Sequence, residues 1–220
     1  MGIADAGRRT WLVVAAERRE LEGILRRFGA STKLAWPAQF AREAEWQGDR
    51  WLLIANGPGA RLVKKALEKR IEVNGIISTG FCGALDPALR VGDIVRHGLK
   101  DGPMNEILCI DRVAVTAAEK QDLRARTGAV AVEMEAAAVA EKAREWAVPF
   151  YSIRAVSDTA LEDMPLDFNL YRDAEGRFSR SRIALAALSR PSAISGLLRL
   201  DRNCRAAAEA LGEFFVNCRL

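Results

Sequence analysis

Short apolar or alternating runs recur along the chain and predict β-strands. The run Thr10–Ala16 is almost wholly apolar and is typical of a buried strand. Phe40–Trp46 and Trp51–Ala55 flank Gly48-Asp49, which predicts two strands joined by a turn. The remaining predicted strands share this apolar character and cover Ile76–Gly80, Val91–Val95, Ile107–Val115, Ala129–Val132 and Val148–Val156.

Charged segments between these strands carry periodic apolar residues, which predicts amphipathic helices. The first such segment follows Ala16, and its apolar face is formed by Leu21, Ile24, Leu25 and Phe28. Thr116 and Glu119 have the spacing of a capping box and start another helix. Further helices are predicted at Ala60–Ile71, at Glu133–Trp146 and after Phe168.

Segments that break the periodicity predict loops. The stretch NGPG, Asn56–Gly59, ends one strand and opens the next helix. The strand Ile76–Gly80 is expected to end in a loop of small residues, and the polar segment Gly98–Glu106 is expected to be a second loop.

The alternation of strands and helices predicts a three-layer α/β/α fold around a mixed, largely parallel sheet, followed by a helical C-terminal tail. The chain has 220 residues, half of them hydrophobic, which suits a single domain over residues 1–220. We expect its core at about residues 10–165 and its tail at about residues 168–220. Sheets of this kind bind ligands at the carboxyl ends of their strands.

The charge of the chain indicates no particular macromolecular partner. Its net charge of +4 is mild, and no aromatic residues are interleaved with Lys and Arg in a way that would stack bases. We therefore expect no nucleic-acid partner.

The cysteines favour a cytoplasmic location. The four cysteines are Cys82, Cys109, Cys204 and Cys218, and no two of them form a C-x-x-C pair. The lone His97 offers no partner for a zinc site. The first ten residues lack the apolar core of a signal peptide, and no apolar run reaches membrane-spanning length.

Acidic side chains collect at the predicted ligand-binding edge. Glu20 follows the first strand, while Glu135 and Asp158 follow later ones. Separated carboxylates at one site suit acid–base chemistry. Other interpretations remain open here, because Glu20 is also typical of a solvated first helical turn, Glu135 of a helix start and Asp158 of a helix N-cap.

Two late motifs carry a family resemblance. VEMEAAAVA (Val132–Ala140) and VPFYSIRAVSDTA (Val148–Ala160) resemble the signature of the methylthioadenosine/S-adenosylhomocysteine nucleosidases and their phosphorylase relatives. STGFCGALDPALRVGDIV (Ser78–Val95) and NGPGA are similar to the glycine segments of the same family. The resemblance extends from about Thr10 to Ala160 and implies cleavage of the N-glycosidic bond of a purine nucleoside.

The resemblance also implies roles for individual residues. It makes Asp158 the acid near the purine N7 and Glu135 the ligand of the ribose hydroxyls. Glu20 aligns with the carboxylate that activates water, although Glu17 or Arg19 would take its place if the register shifts.

Further substrate-binding residues are expected around these three carboxylates. Met134 corresponds to a residue under the ribose and is also a natural core residue, whereas Val113 stands where the family has a base-stacking Phe. For Glu133 we favour a structural role, although it also remains a substrate-binding candidate. The other substrate-binding candidates come from the motifs and glycine segments: Glu133, Gly59, Gly80, Phe81 and Cys82.

The choice between water and phosphate follows from groups that this chain lacks. Hexameric phosphorylases carry Arg and Ser around the glycine segment, where this chain has Ser78 and Phe81. Phosphate prefers arginine forks and hydroxyls, so hydrolysis without a cofactor or metal is favoured. Phosphorolysis with phosphate as co-substrate, held by Arg18, Arg19 or Arg61, and non-catalytic nucleoside binding remain the alternatives.

The tail segment YRDAEGRFSRSRIALAALSRPSAISGLLRLDRNCRAAAEAL (Tyr171–Leu211) resembles the ending of the hopanoid-associated phosphorylases, which act on adenosylhopane. This resemblance implies a bulky 5′ substituent. Apolar side chains stand beside arginines there, and they either contact a lipid or membrane or pack on the domain. They are Ile183, Leu185, Leu188, Ile194, Leu197 and Leu198, beside Arg180, Arg182, Arg190 and Arg199. The family resemblance also implies at least a homodimer.

Overall fold

The computed structural model describes residues 7–99 and 106–218. Its strands are β1 (Thr10–Ala15), β2 (Ser31–Lys33), β3 (Phe40–Trp46), β4 (Asp49–Ala55), β5 (Gly75–Ala84), β6 (Ile94–His97), β7 (Ile107–Cys109), β8 (Ala131–Glu133) and β9 (Phe150–Asp158). Its helices are α1 (Arg18–Phe28), α2 (Ala60–Ala66), α3 (Ala117–Thr127), α4 (Ala136–Trp146), α5 (Arg180–Ser189) and α6 (Pro191–Asn217), with a 3₁₀ turn at Phe168–Tyr171. Most of the predicted loop Gly98–Glu106 lies outside the described residues.

The described strands form one mixed sheet whose centre is parallel. Strands β4, β1, β5 and β9 run parallel to one another in that order. Antiparallel pairing occurs at the periphery, where β3 joins β4, β2 joins β3, β8 joins β5 and β6 joins β9. The parallel centre brings the carboxyl ends of four strands, β4, β1, β5 and β9, to the same edge.

Alternation along β1 produces the three layers, because successive side chains point to opposite faces of a strand. Trp11 and Val13 belong to an apolar cluster that includes residues of α1 and α6. Leu12 and Val14 belong to a second cluster on the other face, which includes residues of α2 and α4. The predicted α/β/α class is therefore confirmed.

The long tail helix α6 is part of one outer layer. Its Ala207, Leu211 and Phe215 are buried in the same cluster as α1. The two helix backbones touch at Gly23, where an added Cβ would lie 1.8 Å from the carbonyl oxygen of Ala208. Part of the tail thus packs on the core, which was one of the two interpretations of its sequence.

Several predicted boundaries were wrong. The loop of small residues that was predicted at the end of Ile76–Gly80 is a strand instead. Strand β5 continues to Ala84, where it pairs first with β9 and then with β8. The hairpin turn is Gln47-Gly48, both with positive φ, so β4 already begins at Asp49.

Two other predicted elements end earlier than expected. The strand from Ile107 stops at Cys109, and farther along the predicted strand the Asn169 side chain bonds both backbone groups of Val113. Helix α2 ends at Ala66, and the downstream Ile71 instead packs against the sheet cluster.

The first residues of two further elements also differ from the prediction. Helix α4 begins at Ala136, because Glu133 ends β8. Strand β6 begins at Ile94, since a side-chain oxygen of Asp93 accepts the N–H of Arg90 and closes a turn there.

Candidate active site

A cavity of about 860 Å³ opens at the carboxyl ends of the central strands. Its wall includes Phe81 and Cys82 of β5, Ser157 and Asp158 of β9, and Ala16 directly after β1. This volume lies within the usual range for small-molecule sites. Carboxylates from three separate chain segments reach the cavity, namely Glu20, Glu135 and Asp158.

Glu20 lies in the first turn of α1 and is 5% exposed. Its Oε1 accepts the N–H of Phe81 at 2.9 Å, and its Oε2 accepts the N–H of Glu17 at 2.7 Å. Burial raises the pKa of Glu20, although these two bonds and the nearby Arg154 act in the opposite direction. The interpretation of Glu20 as a solvated helix-start residue was therefore wrong.

Gly80 allows the Glu20 carboxylate to approach β5. Its φ is 137°, and an added Cβ would lie 2.6 Å from Glu20 Oε1 and 3.1 Å from Arg154 Nη1. A side chain at this position would therefore displace either the acid or the arginine. Gly80 is a packing requirement of the site, and contact between Gly80 and substrate stays a prediction.

Arg154 organises the carboxylates, and its role was missed from the sequence. Its side chain is fully buried in β9. Nη2 donates to Ser78 Oγ at 2.6 Å and lies 2.6 Å from Glu133 Oε2, while Nη1 lies 3.3 Å from Glu135 Oε2. A lone arginine inside an apolar strand was the available signal, because a buried guanidinium needs carboxylate partners.

Glu135 is the N-cap residue of α4. Its Oε1 accepts the N–H of Gly59 at 2.8 Å, so the NGPG and VEME motifs meet in the structure. Burial raises the pKa of Glu135 to about 7, against the opposing charge of Arg154. Gly59 thus contacts a candidate ligand of the ribose.

Glu133 has a positioning role in this arrangement. Its side chain has no exposed surface, and its Oε2 accepts the N–H groups of Glu135 and Ala136, each at 2.8 Å. These two bonds hold the start of α4, and the same oxygen of Glu133 pairs with Arg154. A direct contact of Glu133 with substrate stays a prediction.

Asp158 ends β9 with its side chain 15% exposed. Its Oδ1 accepts Ser157 Oγ at 2.9 Å, and its Oδ2 lies 2.6 Å from Nζ of Lys120. Close approach requires a glycine here too, because an added Cβ on Gly83 would lie 2.9 Å from Asp158 Oδ2. Lys120 was also missed from the sequence, although it shares the buried face of α3 with Leu123.

The remaining predicted substrate-binding side chains line the same cavity. Met134, Val113 and Cys82 all face it. Burial raises the pKa of the Cys82 thiol, which keeps it protonated and unreactive. Aromatic rings that Val113 cannot provide come from the tail, where Phe168 and Phe178 line the cavity with their ring centroids 6.2 Å apart.

The tail contributes apolar side chains to the cavity wall, together with the charged residues Arg180 and Asp201. The apolar side chains include Phe178 just before α5, Ile183 and Ala184 of α5, and Leu197 and Leu200 of α6. The carboxyl edge of the sheet and the tail therefore share one cavity.

Two functional features are absent from the residues that the structure describes. His, Cys, Asp and Glu side chains within 7–99 and 106–218 form no group of three that could hold a metal ion. In the same ranges, no helix has the length and apolarity needed to cross a bilayer.

Comparisons with solved structures show the fold. The futalosine hydrolase of Helicobacter pylori superposes with a TM-score of 0.68 at 15% identity, covering 94% of this chain and 95% of that one. The 5′-methylthioadenosine/S-adenosylhomocysteine nucleosidase of Helicobacter pylori, solved in complex with a substituted pyrrolidin-3-ol, gives a TM-score of 0.69 at 16% identity, covering 96% of this chain and 97% of that one.

Sequence comparisons identify the family. The phosphorylase superfamily matches residues 101–189. The 5′-methylthioadenosine/S-adenosylhomocysteine nucleosidase of Shewanella loihica is 30% identical, covering 60% of this chain and 79% of the relative. That of Tolumonas auensis is 26% identical, covering 63% and 81%. The chain therefore belongs to the phosphorylase superfamily, in the family of nucleoside phosphorylases and 5′-methylthioadenosine/S-adenosylhomocysteine nucleosidases.

Proposed function

We propose that this protein hydrolyses the N-glycosidic bond of an adenine-type nucleoside that carries a bulky 5′ substituent. The observation that carries this proposal is the meeting of Glu20, Glu135 and Asp158 at one cavity. A purine leaves as an anion unless it is protonated, and the sugar becomes cationic as the bond breaks. Separated carboxylates can serve both needs.

Each carboxylate has one task in the reaction. Asp158 delivers a proton to N7 of the base as the bond between the base and the sugar C1′ breaks. Glu135 accepts hydrogen bonds from the ribose hydroxyls, and Glu20 takes a proton from the water whose oxygen attacks C1′. The products are the free base and the free reducing sugar. Glu20 then releases the proton it gained to solvent and Asp158 regains one from solvent, so atoms and charge balance over the cycle without a cofactor.

The contacts of the site favour water over phosphate. Ser78 Oγ and Arg154, two groups that could bind phosphate, are bonded to each other at 2.6 Å, and Arg154 also faces three acidic residues. The Glu20 carboxylate would repel an anion at the attacking position. Phosphorolysis is the second candidate, because Arg19 lines the cavity and its guanidinium lies 5.6 Å from the Phe81 ring centre.

Product analysis separates these candidates. Purified protein is incubated with an adenosine-type nucleoside in phosphate-free buffer and with added phosphate, and free base and sugar products are quantified. We expect phosphate-independent release of adenine and a free sugar. Sugar-1-phosphate as the main product, detected by phosphorus NMR, would establish phosphorolysis, and binding without any base release would indicate a binding protein.

An apolar 5′ substituent fits the wall built by the tail. Ile183, Leu197 and Leu200 line the same cavity as the three carboxylates. An alkyl chain gains about 0.8 kcal/mol for each buried CH₂ group. We therefore expect kcat/KM to rise with chain length across a series of 5′-alkylthio adenosines, consistent with the resemblance of the tail to enzymes acting on adenosylhopane. A decrease along the series would contradict this substrate class.

The tail also has a surface suited to an anionic membrane. Leu185 and Leu188 of α5 are 68% and 74% exposed, and Leu198 of α6 is 62% exposed. Arg182 also lies in α5, and Arg190 lies between the two helices. Apolar side chains rimmed by arginines are typical of interfacial helices. Co-sedimentation with phosphatidylserine vesicles but not with phosphatidylcholine vesicles is expected, and it should weaken when Leu185 and Leu188 are replaced by Gln.

The remaining expectations concern the protein as a whole. We propose a single domain, a cytoplasmic location and at least a homodimer, the last from the family resemblance alone. Light scattering coupled to size exclusion measures the assembly, and a monomeric mass at micromolar concentration would contradict it.

A further inference from the structure

Lys120 is a fully buried lysine that the proposed reaction does not use. It projects from α3, and its Nζ lies 2.6 Å from Asp158 Oδ2. The same nitrogen donates to the backbone oxygens of Thr159 at 2.8 Å and Glu162 at 3.2 Å. An ammonium has three N–H donors, and all three therefore have acceptors.

Burying a lysine is costly unless its charge is paired, so this position requires a specific benefit. Apolar residues fill the rest of this side of α3, where Leu123 packs with Ala114 and Val132. A leucine or methionine would satisfy that packing without any desolvation cost. The lysine instead reaches the one oxygen of Asp158 that Ser157 does not contact.

We propose that Lys120 is the positioning residue of the acid Asp158 in this reaction. It fixes Oδ2 so that the carboxylate keeps one orientation, and it ties the carboxylate to the chain segment that follows β9. The ion pair seen in the structure is the state after proton transfer: once Asp158 has given its proton to the base, the ammonium pairs with the negative charge left on the carboxylate. This inference rests on the proposed function, because it needs Asp158 to act on the leaving base.

The decisive readout compares two leaving groups. Adenine needs the acid in order to leave, whereas 4-nitrophenolate leaves without protonation. In Lys120→Met we expect kcat/KM for a 5′-substituted adenosine to fall about 10²-fold, the usual effect of a misplaced catalytic group. Turnover of 4-nitrophenyl riboside should stay within roughly threefold of the parent value.

Arg124→Met is the matched control on the same helix. Arg124 is paired with Asp86 at 2.7 Å and does not contact the site. Removing this ion pair should leave the ratio of the two kcat/KM values unchanged. An equal loss on both substrates in Lys120→Met, or a change of the ratio in Arg124→Met, would overturn the assignment.

A double variant tests the route through Asp158 and also guards against misfolding. Lys120→Met combined with Asp158→Asn removes both charges of the buried pair, so no unpaired charge is left behind. Its kcat/KM values should equal those of Asp158→Asn alone within about twofold, since a positioning residue adds nothing once its partner is gone. A further loss of tenfold or more on either substrate would show that Lys120 acts independently of Asp158.

The parent enzyme separates this inference from the proposed function. Base release by the unmodified protein tests the function alone, whereas the substrate ratio and the double variant test Lys120. Calorimetric binding of free adenine provides a readout without turnover. Its affinity should fall in Lys120→Met and not in Arg124→Met, and an unchanged affinity would contradict the positioning role.

Discussion

At the scale of single residues, the site depends on carboxylates that are held by backbone N–H groups and by two buried cations. Glu20 and Glu135 accept from Phe81 and Gly59, respectively. Asp158 is paired with Lys120. Side chains held in this way keep one orientation, which general acid and base groups need for proton transfer.

Asp158→Asn should abolish most base release while the fold remains. The amide preserves the size of the side chain but cannot deliver a proton, so we expect kcat to fall by roughly 10²–10⁴-fold. Steady-state adenine release measures the loss, and circular dichroism checks the fold. A folded variant with nearly parental turnover of an adenine nucleoside would exclude Asp158 as the acid.

Glu135→Gln should weaken the contact with the ribose hydroxyl. A hydrogen bond to a charged acceptor is worth about 1.5–3 kcal/mol, so kcat/KM should fall by roughly 10–10²-fold. The change from a ribose to a 2′-deoxyribose substrate should then cost less in the variant than in the parent. Identical costs in the two proteins would mean that Glu135 does not touch that hydroxyl.

At the scale of elements, the strand β5 decides how closely the chemistry can be assembled. Two of its glycines leave room for carboxylates, Gly80 for Glu20 and Gly83 for Asp158. A strand with ordinary side chains at these positions would push both acids away from the sheet. The glycine motif therefore contributes packing space to the site, in addition to any contact with substrate.

Gly80→Ala should therefore reduce activity more than stability alone explains. The new Cβ would lie 2.6 Å from Glu20 Oε1, which must move. Gly128→Ala is the matched control, because its φ is also positive at 73° but no atom lies within 4 Å. Gly128→Ala should cost roughly 1–2 kcal/mol of stability for the backbone strain. Gly80→Ala should cost more, because its Cβ also displaces a buried charged group. Only Gly80→Ala should lower kcat/KM at a temperature where both are folded, and equal activities would contradict this account.

At the scale of the whole molecule, several acidic residues are buried around one arginine. Arg154 faces Glu133, Glu135 and Glu20, and their charges raise its pKa although burial alone would lower it. Folding must desolvate these carboxylates, so stability and function oppose each other at this site.

Stability should consequently decrease as the pH rises from 5 to 8. Burial raises the pKa of Glu20 and raises that of Glu135 from 4.5 to about 7, so the folded state binds protons more tightly than the unfolded state. This contribution is complete below about pH 4.5 and is lost as the pH passes through 7. Carboxylates with lowered pKa, such as Asp49, act in the opposite direction but only at lower pH.

Thermal unfolding across this pH range measures the effect. The midpoint should fall as the pH rises, and the fall should be smaller in Glu135→Gln than in the parent. Glu72→Gln, which alters an exposed side chain, should leave the slope unchanged. A midpoint that rises between pH 5 and 8 would mean that the buried carboxylates stay ionised throughout.

The local sequence determined the elements and the family. Periodicity alone located the central strands β1, β4 and β9 and the start of α3, because apolar runs and caps act over a few residues. The motifs at Glu135 and Asp158 indicated the chemistry. Their roles stay predictions, as does the single domain.

Only the tertiary structure decided what surrounds these residues. No local pattern shows that Lys120 meets Asp158, or that Arg154 lies between Glu133 and Glu135, because these contacts join segments far apart in the chain. The same holds for the continuation of β5 through its glycines, which depends on pairing with β9. Contacts between distant segments set charge and burial, and charge and burial determine what a carboxylate can do.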